Sequence, residues 1–427
     1  MSYSGYRGKS LEFLKRNEIE VGNFVKVQAD STYSGILMPR YEYSDDTHIV
    51  LKLKNGYNIG IEIEKISQIE IESHTSAKKE NISQPQTDPK LPKVLLISTG
   101  GTIASRIDYR TGGVTPALTA AELNASVPEL SKIANIDTEV LFSEYSENLL
   151  PEHWMKIAEK LNSYSRSEYK GIIVAHGTDT MQYTAAALSF SLSGFPKPVA
   201  LVGSQRSSDR PSSDATLNLI SATKFLVKTD TNGIFVIMHN STSDDEIACH
   251  WGTRVRKNHT SKRNAFQTIG GSPAFIVKKD NIEKNPLFDS PQKAFNPKIN
   301  FNSKVMLMKY YPGLDPMLVD HVISSGYKAI IFEGTGLGHV GRVMYESIER
   351  AKRKGLFIGM TSQCIDGTVR MTVYDSGRDL LNLGVIPLGN MIPETALVKA
   401  MWALGNTKDV SEMENMMKEN IALEISD

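Results

Sequence analysis

At 427 residues the chain is too long for one ordinary hydrophobic core, so two or three domains are expected. It is 40% hydrophobic and 22% charged, with 48 basic against 48 acidic residues, which excludes a general electrostatic pull toward nucleic acid or anionic membrane. Without a span-length apolar run, without a signal-peptide core in Met1 to Arg16, and with only Cys249 and Cys364 as thiols, the chain reads as cytoplasmic, with no membrane association, disulfide framework or cysteine-based zinc site.

The first seventy-odd residues carry short β-branched runs: Val21 to Val27, Tyr33 to Met38, His48 to Lys54 and Tyr57 to Ile63. Asn55-Gly56 separates the last two, and both positions tolerate the positive φ that a two-residue hairpin needs. With a fifth strand over Ile69 to Glu72, these predict a small, closed or nearly closed N-terminal β-barrel over 1–74. From Ser73 to Lys90 the only large apolar residue is Ile82, so a linker is assigned to 75–92.

From Lys93 the pattern changes to strand-loop-helix repeats. Val94 to Ile97, Gly171 to Ala175, Pro198 to Val202 and Gly233 to Met238 have the length and β-branching of strands buried on both faces. Helices are predicted over Thr180 to Leu192 and Asp214 to Val227. After the polar stretch Phe288 to Asn302, a second set follows: strands Val305 to Met308, Lys328 to Phe332 and Leu356 to Met360, with helices near Arg342 to Lys354 and Glu394 to Leu404. Pro393 suits the first turn of the last helix. The fold class is therefore α/β: two tandem α/β units with mainly parallel sheets, over 93–290 and 300–427, behind the small β-barrel domain.

Ligands of parallel sheets bind beyond the carboxyl ends of the strands. There the first unit places Ser98-Thr-Gly-Gly-Thr102, His176-Gly-Thr-Asp-Thr180, Gly203-Ser-Gln-Arg-Ser207 and His239-Asn-Ser-Thr242. Paired glycines ahead of Thr102 permit a sharp turn that brings amide N–H groups near a bound oxygen and exposes the hydroxyl as a nucleophile. Two candidate bases stand for its proton, Tyr109 and Lys257. A basic lysine needs burial or neighbouring cations, and Arg254-Val-Arg-Lys257, with Lys262 and Arg263 behind it, supplies cations and no acid. Asp179 can orient and compensate such a lysine, with Thr178 between them. Taken singly, each of these motifs also has a plain reading as a turn or a solvated loop; their joint occurrence at strand ends carries the argument.

Ser98-Thr-Gly-Gly-Thr-Ile-Ala-Ser105 and Ala175-His-Gly-Thr-Asp-Thr-Met181 resemble the two signature motifs of the bacterial-type L-asparaginases, and the resemblance covers roughly Lys93 to Gly405. It implies an L-asparaginase-like fold with Thr102 as nucleophile and Thr178, Asp179 and Lys257 as a second catalytic cluster. Tyr109 falls where that family has its mobile-loop tyrosine. Ser146 and Glu147 fall where it holds the amino-acid head group, with Asp179 also on the substrate amine. No metal and no cofactor are expected in this chain.

Ordinary asparaginases lack the N-terminal β-domain and linker. With Pro393-Glu-Thr-Ala-Leu-Val-Lys-Ala-Met-Trp402, that architecture is similar to the D-type subunits of archaeal glutamyl-tRNA(Gln) amidotransferases. In that family the D-type component releases ammonia from asparagine or glutamine. A partner, the E-type amidotransferase component, uses ATP and Mg²⁺ to phosphorylate and then amidate glutamate on misacylated tRNA(Gln). The resemblance thus implies ATP and Mg²⁺ on the partner, tRNA(Gln) engaged through the complex, and a homodimer within a heterotetramer. Two other readings stand beside it: a free-standing cytoplasmic L-asparaginase, and an inactive tRNA-associated scaffold, against which Thr102, Thr178, Asp179 and Lys257 all count. Gly336-Leu-Gly-His-Val-Gly341 matches the dinucleotide pattern, but no acid lies between Glu349 and Asp366 to bind a ribose, so it reads as a glycine-rich connection with His339 as a loop residue.

Overall fold

A computed structural model describes residues 3, 5–40, 44–54, 57–73, 88–101, 105–108, 113–116, 123, 127–206, 212–279, 281–289 and 293–426, with the backbone alone at 73, 105–108 and 113–116. Thr102, Tyr109, the Asn55-Gly56 turn and most of the expected linker lie outside the described residues.

The N-terminal part is a five-stranded antiparallel sheet of β1 (Phe24–Gln28), β2 (Thr32–Leu37), β3 (His48–Leu53), β4 (Asn58–Glu62) and β5 (Gln68–Ser73), in the order β4-β3-β2-β1-β5. No ladder joins β4 to β5 among the described residues, so the barrel expected from the sequence is left open at that seam. A register shift at Phe24/Val25 bends β1 between its two neighbours. A helix, Gly8–Arg16, was not foreseen; it buries Ser10 and Leu14. Tyr6 anchors the segment ahead of it, its hydroxyl donating to Met38 O at 2.8 Å and accepting from Val50 N at 3.1 Å. Leu14, Val25, Val27, Leu37, Ile49 and Leu51 form a core of this part's own.

The next sheet has eight strands. Its first is β6 (Lys93–Ser98), followed by a separate hairpin of β7 (Ser105–Asp108) and β8 (Gly113–Pro116). Then come β9 (Asn135–Val140), β10 (Gly171–Ala175), β11 (Pro198–Val202), β12 (Gly233–His239) and β13 (Glu246–Trp251). A short hairpin of β14 (Val255–Lys257) and β15 (Phe266–Thr268) stands apart, and β16 (Phe275–Lys278) and β17 (Ile282–Lys284) complete the sheet. The order is β17-β16-β13-β12-β11-β10-β6-β9; β9, β6, β10, β11 and β12 are parallel, and β13, β16 and β17 run antiparallel.

Alternation along the central strands sends Ile173, Ala175, Phe235 and Ile237 to one face, against helix Ala215–Lys228. Ile172, Val174, Val236 and Met238 face the other way, against helices Pro151–Ser163 and Met181–Ser191. Both faces are dry, which is why these strands read as continuous apolar runs.

The second unit is a four-stranded parallel sheet, β18 (Val305–Lys309), β19 (Ala329–Gly334), β20 (Phe357–Ser362) and β21 (Ile386–Pro387), in that order. One face packs on helices Met317–Ser324 and Tyr345–Arg353. The other shares a single core with the first unit: Ala186, Ala187 and Phe190 of helix Met181–Ser191 meet Ala396, Ala400, Trp402 and Ala403 of helix Pro393–Asn406. The alanines let the two helices approach closely, and Phe190 stacks on Trp402 with centroids 5.8 Å apart. No helix among the described residues is long and apolar enough to cross a membrane.

The segment after helix Val410–Lys418 turns back onto the first unit. Trp251 Nε1 donates to Ala422 O, Thr253 Oγ1 donates to the same oxygen at 2.8 Å, and Arg254 Nε donates to Leu423 O at 3.1 Å. This return is organised by Glu424, which accepts from Ile421 N at 2.9 Å and Ala422 N at 2.6 Å and pairs with Lys399 Nζ at 2.5 Å. Both side chains of the pair are fully buried, and burial pushes the Lys399 ammonium below its ordinary pKa. Removing one partner of such a pair strands the other charge, so Glu424→Ala is expected to cost about 3–5 kcal/mol in urea unfolding. Lys399→Met combined with Glu424→Leu is expected to recover part of that loss; a Glu424→Ala chain as stable as the parent would contradict the assignment.

Candidate active site

Three backbone segments meet at the carboxyl edge of the eight-stranded sheet. β6 ends on Ser98, and Thr99 ties the exit to its neighbour strand through N and Oγ1, both donating to Ala175 O at 3.0 and 2.9 Å. Gly100 and Gly101 follow at φ +112° and +80°, in the left-handed region where a side chain is strained. Space alone also demands glycine. A Cβ at Gly100 would lie 2.3 Å from Glu144 O, one at Gly101 2.6 Å from Gly177 N, and one at Gly177 2.8 Å from Ser146 Cβ. Segment 98–101 is thus in backbone contact with Glu144 and with His176-Gly177, and Gly177 in turn packs on Ser146.

Of the residues expected at the site, Ser146, Glu147, Thr178 and Asp179 lie on or beside these segments, and Lys257 reaches them from β14. Ser146 is buried in the short turn Ser146–Asn148, and its carbonyl accepts from Thr180 Oγ1 at 2.6 Å. Glu147, next in that turn, is exposed. Lys257, at the end of β14, reaches across to donate from Nζ to Thr178 Oγ1 at 2.8 Å and to Asp179 Oδ1 at 2.5 Å. Its side chain is 9% exposed, whereas that of Asp179 is 67% exposed, so the ammonium approaches from the protein side and the carboxylate from the solvent side. Gln182 was not among the residues expected from sequence, yet its Oε1 accepts from Lys257 N at 3.3 Å; its one signal was a place two residues beyond the Thr178-Asp179-Thr180 motif, on a helix.

The cations beside Lys257 are a correction to the sequence expectation, in which they face it without an acid. Instead Arg254 is turned to Leu423 O and to Asn390 O and Oδ1, Arg256 pairs with Glu394 at 3.0 Å, and Arg263 pairs with Asp244 at 2.5 Å. Side chains alternate along even a short strand, so neighbours in sequence point to opposite sides.

Two of the four strand ends serve as support. Asp214, buried at the start of helix Ala215–Lys228, accepts from Gln205 N and Arg206 N at 3.0 Å and from Asn218 Nδ2 at 3.1 Å. Asn218 Oδ1 in turn faces His239 Nδ1 at 2.7 Å, and His239 Nε2 faces Asp244 at 3.3 Å. These bonds tie Gln205 and Arg206, just after β11, and His239, at the end of β12, to the start of helix Ala215–Lys228. The Gly336 to Gly341 stretch is a tight turn closed by hydrogen bonds between Thr335 and His339.

His176, within the second motif, is fully buried. Its Nδ1 lies 2.6 Å from Gly177 O and its Nε2 2.9 Å from Thr184 Oγ1, a pairing that suits a neutral ring donating to the carbonyl and accepting from the hydroxyl. Burial pushes its pKa down to about 4.

The matches to known proteins follow the same division of the chain. The α/β part is an asparaginase-type module: residues 93–287 match the family model Asparaginase, N-terminal, and residues 304–417 match the Glutaminase/Asparaginase C-terminal domain. Among solved structures, the thermostable L-asparaginase from Thermococcus kodakarensis superposes with a TM-score of 0.70 at 34% identity, covering 78% of this chain and 99% of that one. L-asparaginase I from Vibrio cholerae superposes at 0.69 with 25% identity, covering 79% and 99%. Residues 19–71 match the GatD N-terminal domain. The D-type subunit of the Pyrococcus furiosus glutamyl-tRNA(Gln) amidotransferase is 48% identical over 427 residues, 97% of each chain. Its counterpart in Metallosphaera sedula is 48% identical over 426 residues, 98% of this chain and 95% of its own. The chain belongs to the family of glutamyl-tRNA(Gln) amidotransferase D-type subunits.

A depressed histidine pKa has a measurable consequence. The buried imidazole of His250 is likewise pushed down to about 3. Between the ordinary value near 6.5 and these folded-state values the unfolded chain binds more protons, so stability is full above about pH 6.5 and falls as pH falls, by about 1.4 kcal/mol per unit for each group. Histidine NMR at pH 5 is expected to show both rings neutral; a ring titrating near its ordinary value would contradict the burial argument.

Proposed function

We propose that this chain is the amide-hydrolysing subunit of a tRNA-dependent amidotransferase and that its chemistry runs through Thr102. Thr102 Oγ attacks the side-chain carboxamide carbon of asparagine or glutamine, its proton passing to Tyr109 or to Lys257 in its free-amine form. The tetrahedral oxyanion is held by loop N–H groups, and collapse with protonation of the leaving nitrogen releases ammonia and leaves an ester on Thr102. Water activated by Thr178, Lys257 and Asp179 then hydrolyses the ester to aspartate or glutamate. Ser146 and Glu147 hold the amino-acid head group, with Asp179 on the amine.

The observation that carries this reading is Lys257 Nζ bonded at once to the Thr178 hydroxyl and the Asp179 carboxylate, beside the Gly100-Gly101 turn that leads into Thr102. Such a cluster has the parts to relay a proton to and from a water. In the cell the ammonia is spent on an acceptor: the E-type amidotransferase partner, with ATP and Mg²⁺, converts glutamate on tRNA(Gln) to glutamine, in a cytoplasmic heterotetramer built around a homodimer of this chain. The match of residues 19–71 to the GatD N-terminal domain favours this over a free-standing asparaginase, because the L-asparaginase structures cover only about four-fifths of the chain. We further propose the division 1–74, 75–92, 93–290 and 300–427 as its working domains.

Thr102→Ala is expected to abolish ammonia release from asparagine and glutamine in a chain that still folds. Thr178→Ala and Lys257→Met are each expected to lower kcat by about 10²–10⁴-fold. Asp179→Ala is expected to raise KM as well as lower kcat, and an unchanged KM would remove the amine contact from the scheme. Supplying the E-type partner, Glu-tRNA(Gln) and ATP is expected to couple hydrolysis to Gln-tRNA(Gln) formation; brisk uncoupled hydrolysis of asparagine with no amidation would favour the free asparaginase.

A further inference from the structure

β14 is three residues long, and its two sides face different halves of the molecule. Val255 is buried in the core of the first unit, and Lys257, two residues on, points the same way to Thr178 and Asp179. Arg254 and Arg256 point the other way, into the second unit. Arg254 donates to Leu423 O at 3.1 Å, Asn390 O at 3.0 Å and Asn390 Oδ1 at 3.2 Å. Arg256 Nε lies 3.0 Å from Oε1 of Glu394, in the first turn of helix Pro393–Asn406.

Glu394 is costly where it stands. Its side chain is 9% exposed, burial pushes its carboxyl above the ordinary range, and Oε2 is buried without a hydrogen-bond partner among the described residues. A half-satisfied buried carboxylate adds little stability, and a well-packed apolar residue would serve the core as well. What the pair does supply is one fixed geometry. Arg256 and Lys257 are consecutive, so their Cα atoms stay about 3.8 Å apart, and whatever anchors Arg256 anchors the base of the Lys257 side chain.

We propose that Arg256 and Glu394 are positioning residues for amide hydrolysis: the second α/β unit, through this pair, sets the depth of β14 so that the Lys257 ammonium stays within hydrogen-bond reach of Thr178 and Asp179. The inference rests on the reading of Lys257 as part of the water-activating cluster. It gives the second unit a role in the chemistry through Arg256 and Glu394, and it ties Lys257 to the packing between the two halves.

The test is ammonia release by the full chain from asparagine and from glutamine, with kcat and KM measured separately and folding followed by thermal melting. Arg256→Ala and Glu394→Ala are each expected to lower kcat at least about tenfold with KM little changed, and the double variant to be no worse than the poorer single one, as for two residues acting as a unit. Glu394→Gln keeps the side-chain volume and an acceptor oxygen and is expected to restore part of kcat, which guards against a variant that merely fails to fold. Wild-type kcat in both single variants, or losses that multiply in the double variant, overturns the proposal. Lys257→Met separates the two levels: if it retains activity, the reading of Lys257 fails, whereas if it is inactive and the Arg256 and Glu394 variants are normal, only the positioning role fails.

Discussion

The site depends on an absence of side chains. Gly100, Gly101 and Gly177 let three strand-end segments pack closely, and any Cβ there would overlap a carbonyl, an amide or a neighbouring side chain. That contact sets the distance between the turn leaving β6 and the Thr178-Asp179 loop, and it brings Ser146 under the same loop. A parallel sheet supplies the direction, since its strands end together at one edge. The glycines supply the proximity, because chain exits spaced by the hydrogen-bond ladder would otherwise splay apart.

The second constraint is the bridging of the two α/β units. Helices Met181–Ser191 and Pro393–Asn406 share one core through facing alanines, and the segment around Glu424 wraps back onto Trp251, Thr253 and Arg254. Between these two joints lies β14. Lys257 therefore stands at a place where the geometry of both units is combined, while Thr178 and Asp179 belong wholly to the first.

Much of this was legible in the sequence where one local rule sufficed. β6, β10, β11 and β12 are buried on both faces and read as unbroken apolar runs; β18, β19 and β20 did likewise. β9 escaped notice because an edge strand such as Asn-Ile-Asp-Thr-Glu-Val keeps polar residues, and β13 because His250 and Glu246 interrupt it. Helix Gly8–Arg16 escaped because it buries only Ser10 and Leu14. The placement of Thr178, Asp179 and Lys257 was approached through motifs at strand ends, but the partners of the arginines beside Lys257 were not. Arg254 finds Asn390 at a separation of 136 residues, and no local pattern encodes which of two sides a short strand shows to a distant segment. The buried charges carried a faint sign: Lys399 and Glu424 each stand alone in an apolar stretch, as two charges do that are buried against each other.

The wrap around Glu424 also has a bearing on time. The bonds from Trp251 to Ala422 and from Thr253 to Ala422 span 171 and 169 residues, and that from Thr395 to Thr253 spans 142. Closing loops of this length is entropically costly and slows folding, so contacts of this span are expected to form after the local helices and hairpins. The strand that presents Lys257 is thus expected to settle late, and a chain with both sheets already formed would pass through an interval in which Lys257 has not yet met Thr178 and Asp179.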